Sequence, residues 1–108
     1  MTFDVVFALD DSSNVLAADW TAMLTLMSSY LDVFNIGPGN VRVGVVRYSD
    51  TASIAFNLNA YRTSASLKTA IGQLQHTSTS SQRNLAHAFQ ITLSNLLVSG
   101  QRYFAAQV

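Results

Sequence analysis

The sequence predicts an α/β domain: a mostly parallel, Rossmann-like sheet layered between helices, with one antiparallel edge strand. Three observations point there. Phe3 to Leu9 is an almost unbroken apolar run that ends abruptly in Asp10, and a strand without polar alternation is buried on both faces, as in parallel sheets. Strand-like runs then alternate with segments of three- and four-residue apolar periodicity. One later run, Ala52 to Leu58, alternates apolar with small or polar residues, as a half-buried edge strand does.

The elements follow in order. After the first strand, Leu16, Trp20, Met23, Leu24, Met27, Leu31 and Phe34 form one stripe on a helix of roughly five turns. Asp19 falls near its positive N-terminal end. Asn35-Ile-Gly-Pro-Gly-Asn40 is a cluster of breakers and predicts a loop. Val41 to Tyr48 is the second strand. Ser49-Asp50-Thr51 is a turn too short for a crossover, so Ala52 to Leu58 returns antiparallel. Thr63 or Ser64 caps a short helix carrying Leu67, Ala70, Ile71 and Leu74. A polar loop, His76 to Gln82, leads to a third helix with Leu85, Ala88, Phe89, Leu93, Leu96 and Leu97 in register, closed by Ser99-Gly100. Tyr103 to Val108 opens another apolar segment.

Composition narrows the function. A chain of 108 residues, 49% hydrophobic and 11% charged, forms one folded domain rather than a disordered tail. Six Asp balance five Arg and one Lys with no Glu, and no basic cluster marks a nucleic-acid surface. No apolar run approaches the ~20 residues that span a bilayer. There is no cysteine, hence no disulfide scaffold and no thiolate chemistry. No signal peptide is visible after Met1, so a secreted parent is expected to carry one upstream.

The chemistry gathers at the carboxyl end of the first strand. In open α/β sheets ligands bind there, and Asp10, Asp11, Ser12, Ser13 and Asn14 supply oxygen ligands suited to a hard cation such as Mg²⁺. The same residues also suit a turn that caps the next helix, and spacing alone favours that reading. His76 and His87 lie eleven apart without a third ligand at zinc spacing, which favours incidental placement. Ser12 or Ser13 as a nucleophile lacks a G-x-S-x-G setting. Gly37-Pro-Gly39 lacks either phosphate-loop pattern. Met23, Met27 and Trp20 are expected in the core, and Tyr61 and Arg62 stand no higher than background as a surface contact.

The opening stretch Asp4-Val-Val-Phe-Ala-Leu-Asp10-Asp-Ser12-Ser-Asn14 resembles the start of a von Willebrand factor type A domain, whose DxSxS loop supplies part of a metal-ion-dependent adhesion site. Val41-Arg-Val-Gly-Val-Val-Arg-Tyr-Ser49 resembles the family's second strand, and Arg102 with the final Ala-Gln-Val the approach to its fourth. The flavour is that of extracellular-matrix members, collagen VI-like chains and matrilins. The resemblance implies a three-layer αβα domain with the first strand between the second and the fourth. It also implies that residues 1–108 correspond to the first half of such a domain, its C-terminal strands and helices absent. One edge of the first strand is then expected to lie open, leaving the chain marginally stable and prone to self-association.

The resemblance also frames the site. Asp10 and Ser12 match its first two ligand positions, and Asn14 stands where a second serine is expected. Gln82-Arg-Asn-Leu-Ala-His-Ala-Phe89 fits the second loop and puts Arg83 at the threonine position, although a shifted alignment brings in Ser80 or Ser81. A guanidinium cannot coordinate a cation but can neutralise Asp10. The third loop lies beyond Val108. The implied site is degenerate and incomplete, with no cofactor expected here and Mg²⁺ possible in the complete domain. The implied function is non-enzymatic binding or adhesion in the extracellular matrix, with collagens or other matrix proteins as partners. A Mg²⁺- or Mn²⁺-dependent adhesion domain that binds an acidic residue is the alternative. A nucleotide-binding or hydrolytic α/β enzyme fragment is a second, disfavoured by the lack of a phosphate loop or base.

Overall fold

The computed structural model describes residues 3–37, 39–92 and 103–107. Strand β1 (Phe3–Asp10) is followed by α1 (Ala17–Tyr30), β2 (Val41–Tyr48), β3 (Ala52–Phe56), α2 (Ser64–Gly72), α3 (Leu85–Ile91) and β4 (Tyr103–Gln107). Among the described residues the sheet runs β3-β2-β1-β4, with β1 parallel to both neighbours and β3 antiparallel to β2.

The oily character of β1 has its cause in this position. Val5, Val6, Phe7, Ala8 and Leu9 are all buried, because alternate side chains enter two different cores. Val5, Phe7 and Leu9 join Val41, Val43 and Val45 of β2 beneath α1 and α2, which contribute Trp20, Leu24, Met27, Leu67 and Ile71. Val6 and Ala8 face the other way, with Val46, Tyr48 and Leu58, against Ala88 of α3. The result is three layers. Each fully buried Val, Leu or Phe stabilises this arrangement by roughly 1.5–3 kcal/mol relative to exposure.

At the amino end of the sheet, Asp4 and Arg42 are register partners on β1 and β2. Arg42 donates from Nε to Asp4 Oδ1 at 2.8 Å and from Nη2 to Oδ2 at 2.6 Å. The Asp4 hydrogen bond, opposed by burial, holds Arg42 above the usual arginine range.

Several sequence expectations need correction. The flank of β1 expected to be open is paired: Asp4 to Ala8 align with Tyr103 to Gln107 of β4. Helix α1 ends at Tyr30, shorter than five turns, because Leu31, Asp32 and Val33 make tighter N–H bonds to Ser28, Ser29 and Tyr30. Leu31 is nevertheless buried. Leu16 precedes the helix and is 67% exposed, and Phe89 is 42% exposed. Helix α3 instead seats through Ala88 and through Thr92 just past its end, whose Oγ1 donates to the Ala88 carbonyl. Strand β3 stops at Phe56, where Asn57 to Ala60 turns, although Leu58 stays buried. Thr63 caps α2 by accepting from the Ser66 N–H. Leu93, Leu96, Leu97, Ser99, Gly100 and Arg102 lie outside the described residues.

Candidate functional site

The carboxyl ends of β1 and β2 deliver Asp10, Asp11, Arg47 and Tyr48 to one rim of the sheet, because residues 10 and 48 are register partners. The Asp11 N–H donates to the Tyr48 carbonyl at 2.8 Å, which carries the pairing one residue past the strand. The chain then turns. Asp10 Oδ1 accepts from the Ser12 N–H at 2.9 Å, and the Val15 N–H donates to the Ser12 carbonyl. These bonds make a turn but not a helix cap: the N-cap of α1 is Leu16, with no side-chain capping bond.

The polar loop before α3 folds onto this turn. Ser13 N–H donates to the Ser80 carbonyl at 2.7 Å, and Asn14 Nδ2 to the Ser81 carbonyl at 2.9 Å. From the same loop comes Arg83. Its Nε stands 3.0 Å from Asp10 Oδ2 as an ion pair and donates to Ser12 Oγ at 3.2 Å. Asn84 anchors the loop's far end: its N–H donates to the Ser49 carbonyl, and its side chain caps α3 by accepting from the His87 N–H.

A second layer lies beneath. Asp11, 6% exposed, accepts at Oδ2 from Arg47 Nε and Nη2 at 3.1 and 3.0 Å, and at Oδ1 from the Thr77 N–H at 3.2 Å. Arg47 Nη2 also donates to the Gln75 carbonyl, and its guanidinium lies 5.6 Å from the Trp20 ring centre. His76 stacks on Trp20 at 5.0 Å, and its Nε2 donates to the Ser12 carbonyl at 2.7 Å. That bond fixes the proton on Nε2. It also directs His76 to the Ser12 backbone rather than its hydroxyl, so no nucleophile–base pair forms.

The structure therefore brings Asp10, Ser12 and Arg83 together and keeps Asn14 on the rim, with its amide turned to Ser81. A Mg²⁺ ion needs about six oxygens in near-octahedral array. With Arg83 placed against both Asp10 Oδ2 and Ser12 Oγ, the side chains present do not offer that set. Among the described residues no group of three or more His, Cys, Asp or Glu side chains is gathered to hold a metal. Sequence reasoning missed Arg47 and His76 as rim-building residues, and it read Asp11 as a candidate cation ligand rather than as the partner of Arg47. Both histidines have structural hydrogen bonds rather than ligand roles: His87 Nδ1 accepts the Ala52 N–H at the start of β3.

The family model for the von Willebrand factor type A domain matches residues 4–106. The chain belongs to that family. Human matrilin-3 is 40% identical to this type A domain over 83 residues, 77% of this chain and 17% of its own length. The mouse collagen alpha-5(VI) chain is 38% identical over 68 residues, 63% of this chain and 3% of its own. The chain thus spans less than a fifth of these relatives. Proximal thread matrix protein 1 of the mussel byssus, solved with a zinc-occupied adhesion-site motif, superposes with a TM-score of 0.88. That likeness covers 98% of this chain and 28% of the mussel chain at 23% identity, and it concerns the fold. The kinship with matrilins and collagen VI chains makes this an extracellular-matrix type A domain. No helix among the described residues is long and apolar enough to cross a membrane.

Proposed function

We propose that this type A domain is a non-catalytic protein–protein interaction module of a matrix protein, whose degenerate adhesion site at Asp10, Ser12 and Asn14 is closed by Arg83 instead of a divalent cation. Its partners are other matrix proteins, collagens among them. The observation that carries this reading is the position of Arg83 Nε, 3.0 Å from Asp10 Oδ2 and 3.2 Å from Ser12 Oγ. A guanidinium there neutralises the carboxylate by a charge-assisted contact and repels an incoming cation.

Calorimetric titration of the chain with MgCl₂ and MnCl₂ tests it. No saturable binding is expected up to about 1 mM, the weak end for extracellular cation modules. Binding of either ion tighter than that by the unaltered chain would overturn the proposal.

A cation-dependent reading has one observation in its favour: the Arg83 side chain is 53% exposed, so no close packing locks it over the rim. In that version Mg²⁺ or Mn²⁺ joins Asp10 and Ser12, and an acidic residue of the ligand completes its shell. Arg83→Thr supplies a hydroxyl in place of the guanidinium. If Arg83 alone bars the ion, this variant gains measurable Mn²⁺ binding.

A further inference from the structure

We propose that the outer edge of Arg83 is itself a docking fork for a carboxylate, so that the rim takes an acidic peptide segment without any metal. The inference rests on the reading of the rim as closed by Arg83, and it names what that closed rim binds. A guanidinium carries five donors in a plane and engages a carboxylate through two parallel N–H groups. Arg83 spends Nε inward, on Ser12 Oγ and Asp10. Its Nη1 and Nη2 make no hydrogen bond to any described residue, and its side chain is 53% exposed.

The rest of the rim is consistent with that use. Its other arginine, Arg47, is engaged by Asp11 and by the Gln75 carbonyl. Asp50 turns its carboxylate onto its own loop, accepting from Ser49 Oγ at 3.2 Å and from the Thr51 N–H at 3.0 Å. Around Arg83 the exposed neighbours in sequence and across the loop are Ser13, Asn14, Ser81 and Gln82. All are uncharged and able to hydrogen-bond the flanks of a peptide. Asp10 competes with the ligand for the same cation, which keeps the intrinsic affinity on the order of millimolar. Removing its charge while keeping its shape therefore strengthens carboxylate binding. A metal-bridged contact demands the opposite, since Asp10 is then a ligand.

The test is a nitrogen–proton NMR titration of the 108-residue chain in EDTA, with acetyl-Gly-Glu-Gly-amide and its Gln counterpart as probes. The Glu peptide is expected to shift the Arg83 Nε–H and the Ser12 and Ser13 amides saturably. The Gln peptide is expected to leave them in place. Arg83→Lys loses the fork and weakens binding by about fivefold or more, while Asp10→Asn tightens it by about threefold or more. Arg83→Met abolishes it; should that variant fail to fold, the Lys and Asn variants decide. Equal response to both peptides, or no response in either the unaltered chain or Asp10→Asn, overturns the inference and leaves the internal closure by Arg83 standing. Binding that needs Mg²⁺ in place of EDTA and disappears in Asp10→Asn overturns both.

Discussion

Arg47, near the end of β2, places Nε and Nη2 on one oxygen of Asp11, Oδ2, at 3.1 and 3.0 Å. Both side chains are largely shielded, at 19% and 8% exposure, and the same arginine reaches the Gln75 carbonyl. One cation thus ties the end of β1, the end of β2 and the loop after α2.

Breaking that tie is costly. Asp11→Asn keeps the shape but leaves Arg47 without its counter-charge, and a buried pair that loses one member destabilises by about 3 kcal/mol. Urea unfolding of the variant should show the loss as a lowered midpoint. A change below about 1 kcal/mol would mean the pair is screened by solvent.

Arg83 is the contrast. Its pair with Asp10 is half in water, so Arg83→Met is expected to cost under about 1 kcal/mol in the same assay. The two arginines occupy one rim, yet one holds the fold and the other is available for binding.

In the core, Met27 is fully buried among β1, β2 and α2 residues. Met27→Ala removes most of that volume and is expected to cost about 3 kcal/mol, whereas Met27→Leu keeps it and costs less than about 1.5 kcal/mol. Thermal or urea midpoints rank the pair.

The Asp4–Arg42 pair gives a pH prediction. Arg42 is held above its ordinary value by the Asp4 hydrogen bond. A base raised in the folded state contributes its full stabilisation below its unfolded value and loses it only as pH climbs through the folded one. The stability difference between the unaltered chain and Arg42→Met should therefore stay flat from about pH 7 to about pH 10. A slope across that window would contradict the assignment.

Asn84→Ala removes the cap of α3, since the Asn84 side chain accepts from the His87 N–H. A loss of about 1 kcal/mol is expected. Faster amide exchange at Leu85 to His87 reports it locally.

Much of this architecture was legible in the chain. The run Val5 to Leu9 has no polar interruption, and such a run has few homes other than mid-sheet. The short turn at Ser49 to Thr51 forces antiparallel return. Leu16 and Phe89 misled because apolar spacing fixes a helix face only within the helix's own bounds. Leu16 lies before α1 begins, and Phe89 sits beside Ala88, the position that meets the sheet. Thr92 was invisible for the converse reason: its hydroxyl is satisfied on the Ala88 carbonyl, so it buries like an apolar residue. At the rim, the Asp10 to Asn14 loop announces itself by composition. The bonds from Arg47 to Asp11 and from His76 to Ser12 join loops remote in sequence, and no local pattern encodes them.

The pairing of β1 with β4 sets the order in which this domain can be assembled. Asp4 waits for Tyr103, at nearly the opposite end of the chain. The entropy of closing so long a span must be overcome before the contact gives anything back. On the ribosome the first strand therefore emerges long before its second flank, with greasy backbone exposed in the interval. That interval, in which an apolar strand waits for its partner, is a point of exposure to misassociation during synthesis.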